Sequence, residues 1–128
     1  MAENKPILII EDEKDFANAL KILLTSKGYA VEIANDGMVG LQKAREMSPL
    51  LIILDIMLPK INGYKIARLL KFDRLYRDIP IIMLTARAEK EDAETGKETG
   101  ADIYMTKPLD NKILLQNITK LLQSKSAE

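Results

Sequence analysis

The 128-residue sequence contains no cysteine, no histidine and no tryptophan. Disulfides, thiolate chemistry, His-ligated zinc, Ser-His triads and a phosphohistidine intermediate on this chain are therefore excluded. The nucleophiles left are hydroxyls, lysines and carboxylates. Net charge is missing too: Lys+Arg and Asp+Glu both number 19. No overall field draws such a chain to nucleic acid or to an anionic membrane, and DNA binding by it is disfavoured. No apolar stretch is long enough to span a bilayer, and Met1 to Pro6 lead into a short apolar run without a long signal region. The expectation is a cytoplasmic protein with no membrane contact. At this length a single domain over 1–128 is expected, one that removes roughly two-thirds of the unfolded surface from water.

What is present is a set of four apolar runs, each ending in a residue that can handle a phosphate or a divalent cation. Ile7-Leu8-Ile9-Ile10 runs into Glu11-Asp12, Leu51-Ile52-Ile53-Leu54 into Asp55, Ile81-Ile82-Met83-Leu84 into Thr85, and Ile103-Tyr104-Met105-Thr106 into Lys107-Pro108. Short continuous apolar runs read as strands buried on both faces, the mark of a parallel sheet. Between them lie helical patterns. Phe16, Leu20, Leu23 and Leu24 recur until Lys27-Gly28; Asn35-Asp36-Gly37 opens a helix with Val39, Leu41, Ala44 and Met47; Asn62-Gly63 opens one with Ile66, Leu69 and Leu70; and Asp110 caps a last one with Ile113, Leu114, Ile118, Leu121 and Leu122. Ala30–Ala34 is a further short strand. Ala88 to Thr99 reads as a helix with little apolar content and an interior glycine, and so as the least firmly held.

Strict alternation of strand and helix predicts an α/β fold: a doubly wound, five-stranded parallel sheet with helices on both faces and right-handed crossovers. The favoured order, 2-1-3-4-5, sets strands one and three side by side at the topological switch point. Glu11-Asp12 and Asp55 then become neighbours at the carboxyl edge of the sheet, where open α/β sheets bind ligands.

Mg²⁺ prefers oxygen ligands and takes one or two carboxylates together with phosphate oxygens. Acids crowded at one edge should raise each other's proton affinity until a cation relieves them. A carboxylate can attack phosphorus and form an acyl phosphate, and Asp55 is the candidate nucleophile. Phosphoryl transfer asks mainly for in-line positioning and neutralisation of the equatorial oxygens, which Mg²⁺, the Lys107 ammonium and the Thr85 hydroxyl could share.

The ordered set Ile9-Ile10-Glu11-Asp12-Glu13, Leu54-Asp55-Ile56-Met57-Leu58-Pro59 with Asn62-Gly63, Leu84-Thr85-Ala86 and Lys107-Pro108 resembles the receiver domain of two-component response regulators, of the stand-alone, CheY-like type. The resemblance covers the chain from Ile7 to about Leu122. It implies a flavodoxin-like fold in which Asp55 accepts a phosphoryl group from a phosphohistidine on a partner histidine kinase or phosphotransfer protein. It implies Mg²⁺ bound by Asp12, Asp55 and the backbone carbonyl of Met57, with Glu11 reaching the ion through water, and Lys107 paired with the phosphoryl group ahead of a cis bond into Pro108. Thr85 and Tyr104 stand at the family's switch positions. Their movement would alter the face made by the fourth helix, fifth strand and fifth helix, where a downstream protein effector would bind. Such a protein is a signalling switch assisting its own phosphorylation and dephosphorylation rather than an enzyme. Glu11 stands where many members have aspartate and Asn62 where many have an acid; Met57 and Arg87 lie at variable places beside the site.

Competing readings remain open at this point. A receiver-like scaffold that binds partners constitutively, unphosphorylated, would not need the intact acid, hydroxyl and lysine positions. A haloacid-dehalogenase-like phosphatase wants a second acid two residues after its nucleophile, where this chain has Met57. An FMN carrier would have its phosphate repelled by three acids. An acid after a strand also serves simply to cap the next helix. The basic series Lys65, Arg68, Lys71, Arg74 and Arg77 alternates with core residues on a helix and reads as its solvated side.

Overall fold

Each apolar run becomes a strand because its side chains can be buried alternately on two covered faces. The protein is seen here in a computed structural model that describes residues 5–86 and 100–126, apart from the side chains of 124–126. Strands β1 (Ile7–Ile10), β2 (Val31–Ala34), β3 (Leu51–Asp55), β4 (Ile81–Thr85) and β5 (Ile103–Thr106) form one parallel sheet in the order β2-β1-β3-β4-β5. Among the described residues the helices are α1 (Lys14–Ser26), α2 (Gly37–Met47), α3 (Gly63–Lys71) and α4 (Asn111–Ser126). The helix expected over Ala88–Thr99, and Arg87 before it, lie outside the described residues. The last helix therefore carries the label α4. The expected α/β class, strand order and two-sided cover are all present.

Period-two burial divides the core. Leu8, Ile10, Ile52, Leu54, Ile81 and Met83 face α2 and α3, meeting Leu41, Ala44, Ile66, Ala67 and Leu70. Ile7, Ile9, Leu51, Ile53, Ile82 and Leu84 face the other way, against Ala17, Leu20 and Leu24 of α1 and Leu114 and Ile118 of α4. The three inner strands are fully covered on both sides; β2 and β5, at the edges, are only half-buried. No helix among the described residues is long and apolar enough to cross a membrane.

Helix ends follow the local chemistry. Gly28 takes φ +94° just past α1, a conformation that costs glycine little. Asp36, Asn62 and Asp110 each accept the amide of the residue three further on, at 2.8, 3.0 and 3.1 Å, satisfying donors that the first helical turn leaves open.

Lys71 departs from the solvated stripe expected of it. Its side chain is only 11% exposed, and its ammonium donates to the carbonyls of Arg77 and Ile79 at 3.0 and 2.8 Å and to Asp102 at 2.8 Å. The same Asp102 oxygen accepts the Ile81 amide at 2.8 Å. The turn after α3 leaves carbonyls without amide donors, and the long lysine side chain supplies them. Leu69, read as core, is exposed.

Gly63 sets the path from β3 into α3. A Cβ there would overlap the Asp55 carbonyl oxygen and lie 2.9 Å from the Ile56 Cα, both backbone atoms, while the Gly63 amide donates to the Ile56 carbonyl at 3.0 Å. Gly63→Ala is expected to destabilise the protein by about 3 kcal/mol. Urea unfolding measures this directly, and an unchanged midpoint would show that the loop can shift away.

Candidate functional site

Register brings the polar strand ends level. Ile10 pairs with Leu54, so Glu11 and Asp55 stand side by side, and Thr85 pairs with Thr106, so Lys107 follows one step beyond. The Glu11 amide still donates to the Ala34 carbonyl at 3.0 Å, and the Lys107 amide to the Thr85 carbonyl at 2.7 Å. Both functional side chains thus leave a backbone fixed by the sheet.

The side chains converge. Lys107 Nζ lies 2.6 Å from Glu11 Oε1 and 3.4 Å from Asp55 Oδ2. Glu11 Oε2 accepts the Glu13 amide at 3.1 Å, and Asp55 Oδ1 accepts the Met57 amide at 3.1 Å. The ammonium also sits 4.4 Å from the centroid of the Phe16 ring, a cation–π placement. Glu11, Asp55 and Thr85 are buried, whereas Asp12 is exposed. One carboxylate oxygen from each of Glu11, Asp12 and Asp55 lies within 4.8 Å of the others. This all-oxygen set, with one member open to water, fits a small hard cation. One ammonium against two buried carboxylates leaves negative charge for that cation to balance.

Burial pushes the Glu11 carboxyl up from 4.5 to about 7; the hydrogen bond from Lys107 opposes the rise and the neighbouring Asp55 adds to it. The mutual repulsion expected of the acids is present but secondary, because loss of water around Glu11 is the larger penalty. For Lys107, burial works against the charged form, yet the hydrogen bond to Glu11 and the charge of Asp55 outweigh it and raise its proton affinity.

The bond between Lys107 and Pro108 is cis. The Met57 side chain is exposed, and its amide is held by Asp55. Tyr104 is half-buried against the α2/α3 side of the core, with its hydroxyl 3.3 Å from that of Tyr64. Three contacts escaped the sequence: the direct Glu11–Lys107 pair, Phe16 beneath the ammonium, and Tyr64 beside Tyr104. Phe16 lies four residues after Asp12, in the first turns of α1, and could have been placed at this edge. Nothing in the spacing links Tyr64 to Tyr104.

The response regulator receiver domain family matches residues 7–119. The chain belongs to that family. Similar curated proteins include the response regulator ArlR of Staphylococcus epidermidis, 44% identical over 117 residues that cover 91% of this chain and 52% of that protein. The alkaline phosphatase synthesis transcriptional regulatory protein PhoP of Bacillus subtilis is 40% identical over 120 residues, 94% of this chain and 49% of that one. The receiver domain thus spans about half the length of the curated relatives it matches. Among solved structures, a CheY-like receiver domain protein from Methanospirillum hungatei superposes with TM-score 0.89 at 31% identity, covering 96% of this chain and 97% of that one. The signal receiver domain of a histidine kinase from Syntrophus aciditrophicus gives TM-score 0.87 at 34% identity, covering 94% and 91%. As a receiver domain the chain is of the phosphorylatable, two-component signalling type.

Proposed function

We propose that residues 1–128 act as one Mg²⁺-dependent phospho-acceptor switch, in which Asp55 takes a phosphoryl group from a phosphohistidine on a partner kinase or phosphotransfer protein. The observation that carries this reading is the meeting of Asp55 with Glu11, Asp12 and Lys107 in one pocket at the carboxyl edge of the sheet. An Asp55 oxygen forms the new O–P bond while the P–N bond to the partner's imidazole breaks. That ring, protonated on its other nitrogen, leaves neutral. Asp12, Asp55 and the Met57 carbonyl would hold Mg²⁺, with Glu11 reaching it through water, and the ion would neutralise charge on a phosphoryl oxygen.

Lys107 already bridges Glu11 and Asp55, and a small movement turns its ammonium to a phosphoryl oxygen. The Thr85 hydroxyl, one residue past the level of Asp55, serves another. Thr85 drawn toward the phosphoryl group leaves space into which Tyr104 turns, giving up its place beside Tyr64. The face containing β5 and α4 then changes, and a protein effector reads the change. Acetyl phosphate with Mg²⁺ should add one phosphoryl group to the chain, seen by mass spectrometry, and a chelator should prevent it. An unmodified chain under the first condition would refute the proposal.

A further inference from the structure

The outer face of α3 is more apolar than the spacing of its cations suggests. Lys65, Arg68, Leu69 and Phe72 recur at i, i+3, i+4 and i+7 and share the face opposite the buried Ile66, Ala67 and Leu70. Leu69 is 38% exposed, Phe72 73% and Leu75, in the following turn, 80%. The Arg68 guanidinium stands 5.8 Å from the centroid of the Phe72 ring. Single exposed leucines are ordinary, but Leu69 and Phe72 share one face and Leu75 is exposed in the turn that follows, a concentration of large apolar side chains of the kind that marks an interaction site.

The charge around this patch is predominantly positive. From Lys65 to Asp78 the chain carries five cations against two acids, although its total charge is zero. Lys71 is consumed by Asp102 and two carbonyls, and Asp73 accepts the Leu75 amide at 2.9 Å. Among the described residues, the ion pairs formed do not include Lys65, Arg68, Arg74 or Arg77. An occupant should therefore bring carboxylates as well as apolar side chains. A second copy of the chain is a poor match, because a two-fold contact would set this cationic ridge against itself.

We propose that the outer ridge of α3 and its C-terminal turn is a docking surface for an acidic amphipathic helix of another protein. Apolar side chains of that helix cover Leu69, Phe72 and Leu75, and its carboxylates meet Lys65, Arg68 and Arg74. α3 begins beside the loop after Asp55 and runs back along the sheet for roughly 14 Å at 1.5 Å per residue. Phe72 thus lies away from the acid pocket. Docking there leaves the pocket open, and its strength does not depend on the phosphorylation state of Asp55.

The test uses the full chain with a synthetic Glu/Leu amphipathic helical peptide, its Lys/Leu counterpart, and phosphatidylglycerol and phosphatidylcholine vesicles. The Glu/Leu peptide is expected to shift the α3 amide resonances, to bind less tightly as salt rises, and to bind equally with and without acetyl phosphate. Phe72→Ser with Leu75→Ser should weaken it by about tenfold or more. Arg68→Glu with Arg74→Glu should transfer the preference to the Lys/Leu peptide. All four residues are exposed, and a urea midpoint near that of the native chain confirms that each variant is folded. Absence of α3 shifts, binding of both peptides alike, capture by phosphatidylglycerol vesicles without peptide binding, or self-association through this ridge would each overturn the proposal.

Discussion

Asp55→Asn is expected to lower phosphoryl gain from acetyl phosphate and Mg²⁺ by at least about 100-fold, because the amide has no anionic oxygen with which to attack phosphorus. The substitution is nearly isosteric, and the asparagine oxygen can still accept the Met57 amide that Asp55 Oδ1 now holds. Removing one buried negative charge from beside Glu11 relieves repulsion, while the new amide nitrogen faces the Lys107 ammonium that now lies 3.4 Å from Asp55 Oδ2, so the opposing effects should leave the chain folded in the absence of metal. Intact mass after a fixed incubation measures the effect, with urea unfolding as the control for folding. Asp12→Asn offers a contrast: it keeps the nucleophile and removes the exposed carboxylate, so it should raise the Mg²⁺ concentration needed while phosphorylation remains attainable. Retention of full phosphoryl gain by Asp55→Asn would place the acceptor elsewhere.

The second large effect concerns stability. Lys107→Met leaves the fully buried Glu11 and the nearly buried Asp55 without their common cation, and breaking a buried ion pair by removing one partner costs about 3–5 kcal/mol. The Lys107 side chain is 19% exposed, which argues for the lower end, about 3 kcal/mol in metal-free solution at pH 8.

The penalty should shrink on acidification. Glu11 titrates near 7 when folded against 4.5 as a model group. Its protonated form favours the native state below pH 4.5, and that contribution, on the order of 3 kcal/mol, is lost as pH rises through about 7. Near pH 5 Glu11 is therefore mostly neutral in the native protein, and Lys107 has one carboxylate fewer to compensate. Lys107's own raised proton affinity contributes stability that is present below 10.5 and lost only above it, outside this window. Urea unfolding of both proteins at pH 5 and pH 8 with a chelator separates the terms. Equal penalties at the two values would show that Glu11 does not govern the pocket.

The strands were legible because burial on both faces demands continuous apolar runs, and a parallel sheet then aligns whatever residues end them. Alternation with helices leaves few topologies, and order 2-1-3-4-5 sets Glu11 beside Asp55. The caps at Asp36, Asn62 and Asp110 were readable because they are local, made between residues three apart. Two positions on α3 differ from expectation, Lys71 through reach across space and Leu69 through the phase of its helix. Lys71 belonged by periodicity to an outer stripe, yet its flexible side chain satisfies carbonyls at Arg77 and Ile79 and an acid at Asp102. Leu69 sat in an apolar pattern but falls on the outer face.

By itself the sequence determined the elements among the described residues, the sheet order and the family, since these follow from hydrophobic period and from motifs that keep their order along the chain. Tertiary structure alone decided that Lys107 pairs first with Glu11, that burial rather than repulsion raises the Glu11 carboxyl, and that Tyr64 meets Tyr104. These are matters of distance and lost hydration between residues as far apart as 11 and 107. Linear spacing carries no information about either until the chain has folded.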